Sequence, residues 1–193
     1  MHITHERNLP AILRLGLLCK KEADRRNIAY ISIADEGIQS RRSQTVVPVG
    51  AGGTIHDYVP LFFGARPPML YAVNRRVVRQ SEIAYILVRW DVLTLRGTVF
   101  TDGNASTNGT RFFDSREQLR EVDQKACGAM WWNKPPDIRR KKSAEVLVYS
   151  GVGVEHFGGL VVMDNEAKDR VLRVVQARGL QLNVYVGPGW YYL

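Results

Sequence analysis

Four consecutive bases, Arg139, Arg140, Lys141 and Lys142, run up to a single carboxylate in RRKKSAEVLVYS (residues 139–150). Glu145 opens the run Val146-Leu147-Val148-Tyr149, which reads as a strand buried on both faces. Desolvating a carboxylate is costly, so an acid in such a run needs a partner or a purpose. On a strand its side chain shares a face with Leu147 and Tyr149, while Val146 and Val148 face the other way. Two readings stay open. A glutamate beside a basic loop is most often a salt-bridge partner. The alternative is a carboxylate held rigidly on a sheet to grip a ligand hydroxyl or to stabilise a developing positive charge.

Other candidate chemistry is weaker. GAGGT (residues 50–54) has glycines at the wrong spacing for a phosphate-binding loop and lacks the P-loop lysine, so it reads as a flexible loop. His2 and His5 sit in HITH. Strand alternation puts them on opposite faces, so they do not share a metal, and no cysteine or acidic ligand set accompanies them; no metal is expected. His56 and Asp57 are sequence neighbours, which rarely pair as a dyad. Cys19 and Cys127 are too few for a disulfide framework and read as buried thiols.

The elements that must hold these residues come from a chain of 193 residues, 45% hydrophobic and 24% charged, an ordinary globular composition. The net charge of +8 favours a polyanionic partner, and bases cluster at Arg25-Arg26, Arg41-Arg42, Arg75-Arg76 and Arg139–Lys142. No apolar run is long enough to cross a membrane and the start carries no signal-like segment, so the expectation is a soluble, cytoplasmic protein.

Residues 2–5 read as a short strand. NLPAILRLGLL reads as a helix with Asn8 at its N-cap, Pro10 in its first turn and Gly16 at its end. IAYISIA (28–34) reads as a strand, and residues 35–58 mostly as a long connection, a length usually functional or disordered. VPLFFG, IAYILVRW, EVLVYS, LVVMDN and LNVYV read as strands. MLYAVNR reads as a helix begun by Pro67-Pro68, SREQLREVD as a short helix, and EAKDRVLRVVQARG as an amphipathic one ending at Gly179. Strands outnumber helices without regular alternation. A mixed α+β fold around two small sheets follows, as a single domain over residues 1–193.

HITHERNLPAIL, VPVGAGGTIHDYVPLFFGARPPMLY, FTDGNA, SAEVLVY and the terminal GWYY resemble, in order and from residue 2 to residue 192, the DarT family of DNA ADP-ribosyltransferase toxins. The resemblance implies an ADP-ribosyltransferase fold, with split antiparallel β-sheets, flanking helices and NAD held in the cleft. It implies transfer of ADP-ribose from NAD, as substrate, to thymine in single-stranded DNA, with nicotinamide released. The implied partners are single-stranded DNA and a DarG antitoxin whose macrodomain removes the modification.

The resemblance also distributes roles. Glu145 matches the catalytic glutamate, which binds the 2′-hydroxyl of the nicotinamide ribose and stabilises the cation that forms as the bond to nicotinamide breaks. Arg42 matches the arginine near the reacting base and the NAD phosphates, with Arg41 as the adjacent competitor. His2 matches a first-strand position contacting nicotinamide ribose, and Thr4 points the same way. Met69 and Tyr71 fall in the middle NAD-binding segment, Tyr71 suited to stack on nicotinamide. Trp131, Trp132, Arg139, Arg140, Lys141 and Lys142 lie in the substrate-recognition loop and are expected to meet bases and phosphates. Ser143 stands where protein-arginine transferases carry a second acid, which argues against arginine as acceptor. Two alternatives remain beside this reading: a non-catalytic single-strand-binding module, and transfer to another base, RNA or protein.

Overall fold

The computed structural model describes residues 1–74 and 78–192. In chain order the elements are β1 (His2–His5), α1 (Leu9–Leu15), β2 (Leu17–Leu18), α2 (Lys20–Arg25), α3 (Glu36–Gln44), β3 (Tyr58–Phe62), α4 (Pro68–Asn74), β4 (Ile83–Val88), β5 (Val99–Thr101), β6 (Phe112–Phe113), α5 (Gln124–Gly128), α6 (Ile138–Lys142), β7 (Glu145–Tyr149), β8 (Gly151–Val152), β9 (Phe157–Val162), α7 (Asn165–Ala177) and β10 (Val184–Val186). Two four-stranded sheets run β1-β4-β9-β10 and β3-β7-β5-β6, and β2 pairs with β8. All pairs are antiparallel except β9 with β10, which α7 connects as a crossover.

The two large sheets part between β1 and β3. At that seam the main chains of Met1 and Phe62 exchange two hydrogen bonds, of 2.8 and 2.7 Å. Phe62 in turn lies opposite Glu145 in the β3–β7 register. His2 and Glu145 therefore flank the split from its two sides, one on each sheet.

The alternation in β7 sorts its side chains as expected. Val146 and Val148 enter the main core with Leu61, Ile86 and Leu160, while Leu147 packs on the opposite face with Val47, Ile55 and Tyr58. In α7, Ala167, Val171 and Val175 recur every four residues and bury one stripe. Burying each such valine contributes roughly 1.5–3 kcal/mol. Asp164 starts this helix by accepting from the Ala167 N–H at 2.8 Å. Gly16 ends α1 at φ 78°, where an added Cβ would fall 2.5 Å from the Val152 carbonyl oxygen.

Two expectations are corrected. Residues 28–34 form no strand. The Asn8 side chain takes the place of a neighbouring strand, accepting from the Ile31 N–H (2.8 Å) and donating to the Ile31 carbonyl (2.9 Å). Asn8 sits at the N-cap position of α1 but makes no cap bond. The stretch after Asp35 is not mostly connection, for it holds α3, capped by Asp35 through the Ile38 N–H at 3.0 Å. The basic pair Arg75-Arg76 and the end of the helix expected there lie outside the described residues. Among the described residues no helix is long and apolar enough to cross a membrane.

Candidate active site

Glu145 is the first residue of β7, and its main chain is fixed from the side. Its N–H donates to Thr101 Oγ1 at 3.1 Å, and that hydroxyl lies 2.6 Å from the Gly103 carbonyl. The turn in FTDGNA thus sets where β7 begins. The Glu145 side chain is 1% exposed. It is held by Arg42 in a bidentate pair, with Nη1 on Oε1 at 3.0 Å and Nη2 on Oε2 at 2.8 Å. Arg41, one position earlier on α3, is exposed, so Arg42 is the arginine brought to the carboxylate. Removing one partner of a buried pair strands the other charge, at about 3–5 kcal/mol. The pair therefore ties α3 to the sheet as well as shaping the site.

His2 faces the same seam. Its Nδ1 lies 3.0 Å from the Pro60 carbonyl, which can only accept, so the proton sits on Nδ1 and Nε2 carries the free lone pair. Burial pushes the imidazole down to about 4, so the ring is neutral at pH 7. Thr4 is buried two residues along, its Oγ1 accepting from Asn8 Nδ2 at 3.0 Å. One amide thus holds the candidate ribose wall of β1 and the 28–34 segment together.

Met69 and Tyr71 lie on α4 and pack against the second apolar cluster, which includes Ile3 next to His2 and Phe62 next to Glu145. The Tyr71 ring meets Trp132 and Tyr192 edge to face at 5.5 and 5.2 Å. GWYY closes this cluster: the Tyr191 hydroxyl reaches the Ile83 and Val161 carbonyls, and the Tyr85 hydroxyl donates to the Trp190 carbonyl.

The expected acceptor loop is divided in its roles. Trp131 is 68% exposed. Trp132 Nε1 donates to the Tyr192 hydroxyl at 2.8 Å, and the exposed Arg139 lies over the Trp132 ring at 5.1 Å. The rest of the basic run has partners within the fold. Arg140 donates to both Asp102 and Asp137, and its carbonyl accepts from the Asn104 N–H, so it anchors α6 to the FTDGNA turn. Lys141 pairs with Asp123 at 3.3 Å. Lys142 is 1% exposed and donates to the Ala65 and Cys127 carbonyls at 3.0 and 3.1 Å. A lysine satisfied in this way is structural and does not present its charge to a phosphate. The helical turn explains the division, since successive residues of α6 point about 100° apart.

Asn8, Thr101, Asp102 and Tyr192 carry much of the support; the sequence pointed to Asn8 only as a helix cap and to the other three not at all. The first three lie within the stretches HITHERNLPAIL and FTDGNA, and Tyr192 ends GWYY, but their bonds cross the fold and leave no local pattern. His56 and Asp57 form no dyad: His56 Nε2 meets Gln39 at 3.0 Å, while Asp57 accepts from Lys21 and Thr54. Both cysteines are buried and free, and burial pushes Cys127 up to about 11. No group of metal-ligating side chains occurs among the described residues.

Comparison with known proteins agrees with this architecture. A DNA ADP-ribosyl transferase from Thermus sp. (strain 2.9) is 34% identical, over 99% of this chain and 94% of that protein. Two solved structures of Thermus sp. 2.9 DarT each match 99% of this chain. The complex with ADP-ribosylated ssDNA has a TM-score of 0.92 at 33% identity and is covered over 94% of its length. The complex with NAD+ has a TM-score of 0.87 at 31% identity and is covered over 96%. A Thermosipho africanus fusion of a DNA ADP-ribosyl transferase with a DNA ADP-ribosyl glycohydrolase is 24% identical over 100% of this chain, which spans 49% of the fusion. The family model described as "ssDNA thymidine ADP-ribosyltransferase, DarT" matches residues 1–192, and the chain belongs to the DarT family.

Proposed function

We propose that this protein transfers ADP-ribose from NAD+ to thymine in single-stranded DNA. The bond from C1′ to nicotinamide breaks with its electrons leaving on nicotinamide. C1′ then bonds to thymine N3, whose proton is released. The observation that carries the reading is the buried carboxylate of Glu145, fixed by Arg42 at the seam of the two sheets in a chain of this family.

The residues suit that chemistry. Glu145 is an acceptor on a rigid strand, able to hold a ribose hydroxyl and to place negative charge beside a sugar gaining positive charge. His2, neutral and protonated on Nδ1, offers Nε2 as a second acceptor for a ribose hydroxyl. Met69 and Tyr71 supply an apolar wall on α4 for the nicotinamide. Arg42 is shared: bonded to Glu145 here, it can turn one N–H edge toward a phosphate or toward thymine as N3 loses its proton. Trp131 and Arg139 offer an exposed ring and an exposed cation to the acceptor strand.

Residues 1–193 act as one catalytic unit in this reading, and the family match across residues 1–192 supports it. The counterpart is a DarG-type macrodomain antitoxin that removes the modification; the Thermosipho fusion of transferase and glycohydrolase supports that pairing. The site of action is the cytoplasm, where the DNA substrate lies. Mass spectrometry of short single-stranded oligonucleotides incubated with protein and NAD+, with one base varied, tests the assignment. One ADP-ribose gained only when thymine is present supports it. NAD+ consumed with RNA or protein and no mass gained on DNA would overturn the acceptor.

A further inference from the structure

The strap between β3 and α4 carries a cation, Arg66, that pairs with no carboxylate among the described residues. Arg66 has φ 54°, an uncommon conformation for a residue with a side chain. Two bonds to its main chain hold it there: its N–H donates to the Tyr85 hydroxyl (3.3 Å), and its carbonyl accepts from the Tyr192 hydroxyl (2.6 Å). Two residues earlier, a Cβ on Gly64 would lie 2.0 Å from the Cys127 carbonyl oxygen, so the strap rests directly on the end of α5. The strap is built, and what it presents is the Arg66 side chain.

The guanidinium is held between two rings, 5.2 Å from Trp131 and 4.5 Å from Tyr192. Its Nε is buried with no hydrogen-bond partner. No carboxylate pairs with Arg66 among the described residues, in contrast to Arg42, Arg111, Arg140 and Arg170. A second cation, Lys142, lies beneath the same strap, bonded to the Ala65 carbonyl and likewise without a carboxylate among the described residues. Burial, and Arg66 itself, hold the Lys142 ammonium below its ordinary range. Two neighbouring cations, one stacked between rings and short of a hydrogen bond, are costly unless an anion completes them.

Planar N–H donors with their faces covered bind by the edge, which matches a phosphate oxygen pair. We infer that Arg66, clamped by Trp131 and Tyr192, binds a phosphodiester of the acceptor strand next to a base stacked on Trp131. The inference rests on the single-stranded DNA reading above. The pyrophosphate of NAD+ offers the same chemistry, but Trp131 is exposed and belongs to the loop before α6, which places the clamp on the outer side of the site.

The test measures binding of a labelled thymine-containing oligonucleotide without NAD+, across a salt series, for the parent and Arg66→Met. NAD+ binding without DNA is measured by calorimetry. Expected for Arg66→Met is a loss of about tenfold in DNA affinity at low salt. The salt slope should become shallower by about 0.7, the value for one phosphate contact. NAD+ affinity should stay unchanged. One neutral methylphosphonate linkage should reproduce the loss in the parent and add nothing in the variant. Loss of NAD+ affinity with the DNA slope intact would move the phosphate to NAD+ and overturn the acceptor-strand assignment. No change in either would overturn the inference and leave Arg66 structural. A parent that binds no DNA would instead sink the functional reading, an outcome read before any variant. If Arg66→Met does not fold, Arg66→Lys carries the test: retained slope with about threefold weaker DNA binding supports the clamp, and parent-like affinity overturns it.

Discussion

Arg41-Arg42 and Arg139–Lys142 look alike as sequence, but the fold uses them differently. On α3 one arginine turns inward to neutralise Glu145 and its neighbour stays in water. On α6 the four bases meet four different environments: the Trp132 ring, the Asp102–Asp137 pair, Asp123, and two buried carbonyls. A basic run on a helix is therefore not a positive face. Each charge is placed by its angle on the helix and by the partner waiting there. In the proposed reading, the Glu145–Arg42 pair on the NAD side is buried, while Trp131 and Arg139 on the acceptor side stay exposed.

The contrast breaks most visibly at the pair. Glu145→Ala should abolish transfer, by about 1000-fold or more, and also destabilise the protein by about 3–5 kcal/mol, because Arg42 is left buried and unpaired. Melting curves should show the drop, and Arg42→Met in the Glu145→Ala background should recover much of it.

The next effect is one of pH. His2 is held near 4 in the fold against about 6.5 unfolded, so the unfolded chain binds the extra proton between those values. The His2 contribution to stability is full above about 6.5 and falls as pH drops toward 4, by about 3 kcal/mol. Urea unfolding at neutral and acid pH should show a steeper loss in the parent than in His2→Asn.

Lys142→Met should cost about 1–3 kcal/mol in urea unfolding, since two buried carbonyls lose their donor. At equal folded concentration it should leave a normal DNA salt slope. Arg139→Ala is the mirror case and the smallest effect: about three- to tenfold weaker DNA binding, with an unchanged melting temperature and unchanged NAD+ affinity. Equal responses from these two variants would erase the distinction drawn between their ends of α6.

Much of the fold was legible. β4, β7 and β9 show as short apolar runs, α1 by its cap position and Gly16, and α7 by its apolar stripe. The strand expected at residues 28–34 failed because a side-chain amide, Asn8, satisfies the Ile31 main chain in place of a ladder. Helix α3 was missed because EGIQSRRSQ has no apolar stripe; Asp35, its cap, was the one local signal. The parallel pairing of β10 depends on the α7 crossover. At the site, strand alternation oriented Glu145, but its partner lies 103 residues away on a helix that periodicity did not reveal. Arg42 came forward over Arg41 from the family resemblance, and the fold brings it to Glu145.

The most direct test of the central claim is the rate of ADP-ribose transfer to a thymine oligonucleotide by Glu145→Gln, with NAD+ binding measured alongside. Glutamine preserves shape and can still accept a hydrogen bond from Arg42, but carries no negative charge. The account predicts transfer lowered by about 1000-fold, with NAD+ affinity within about threefold of the parent. Transfer at the parent rate would contradict it, because the carboxylate charge would then have no part in the chemistry.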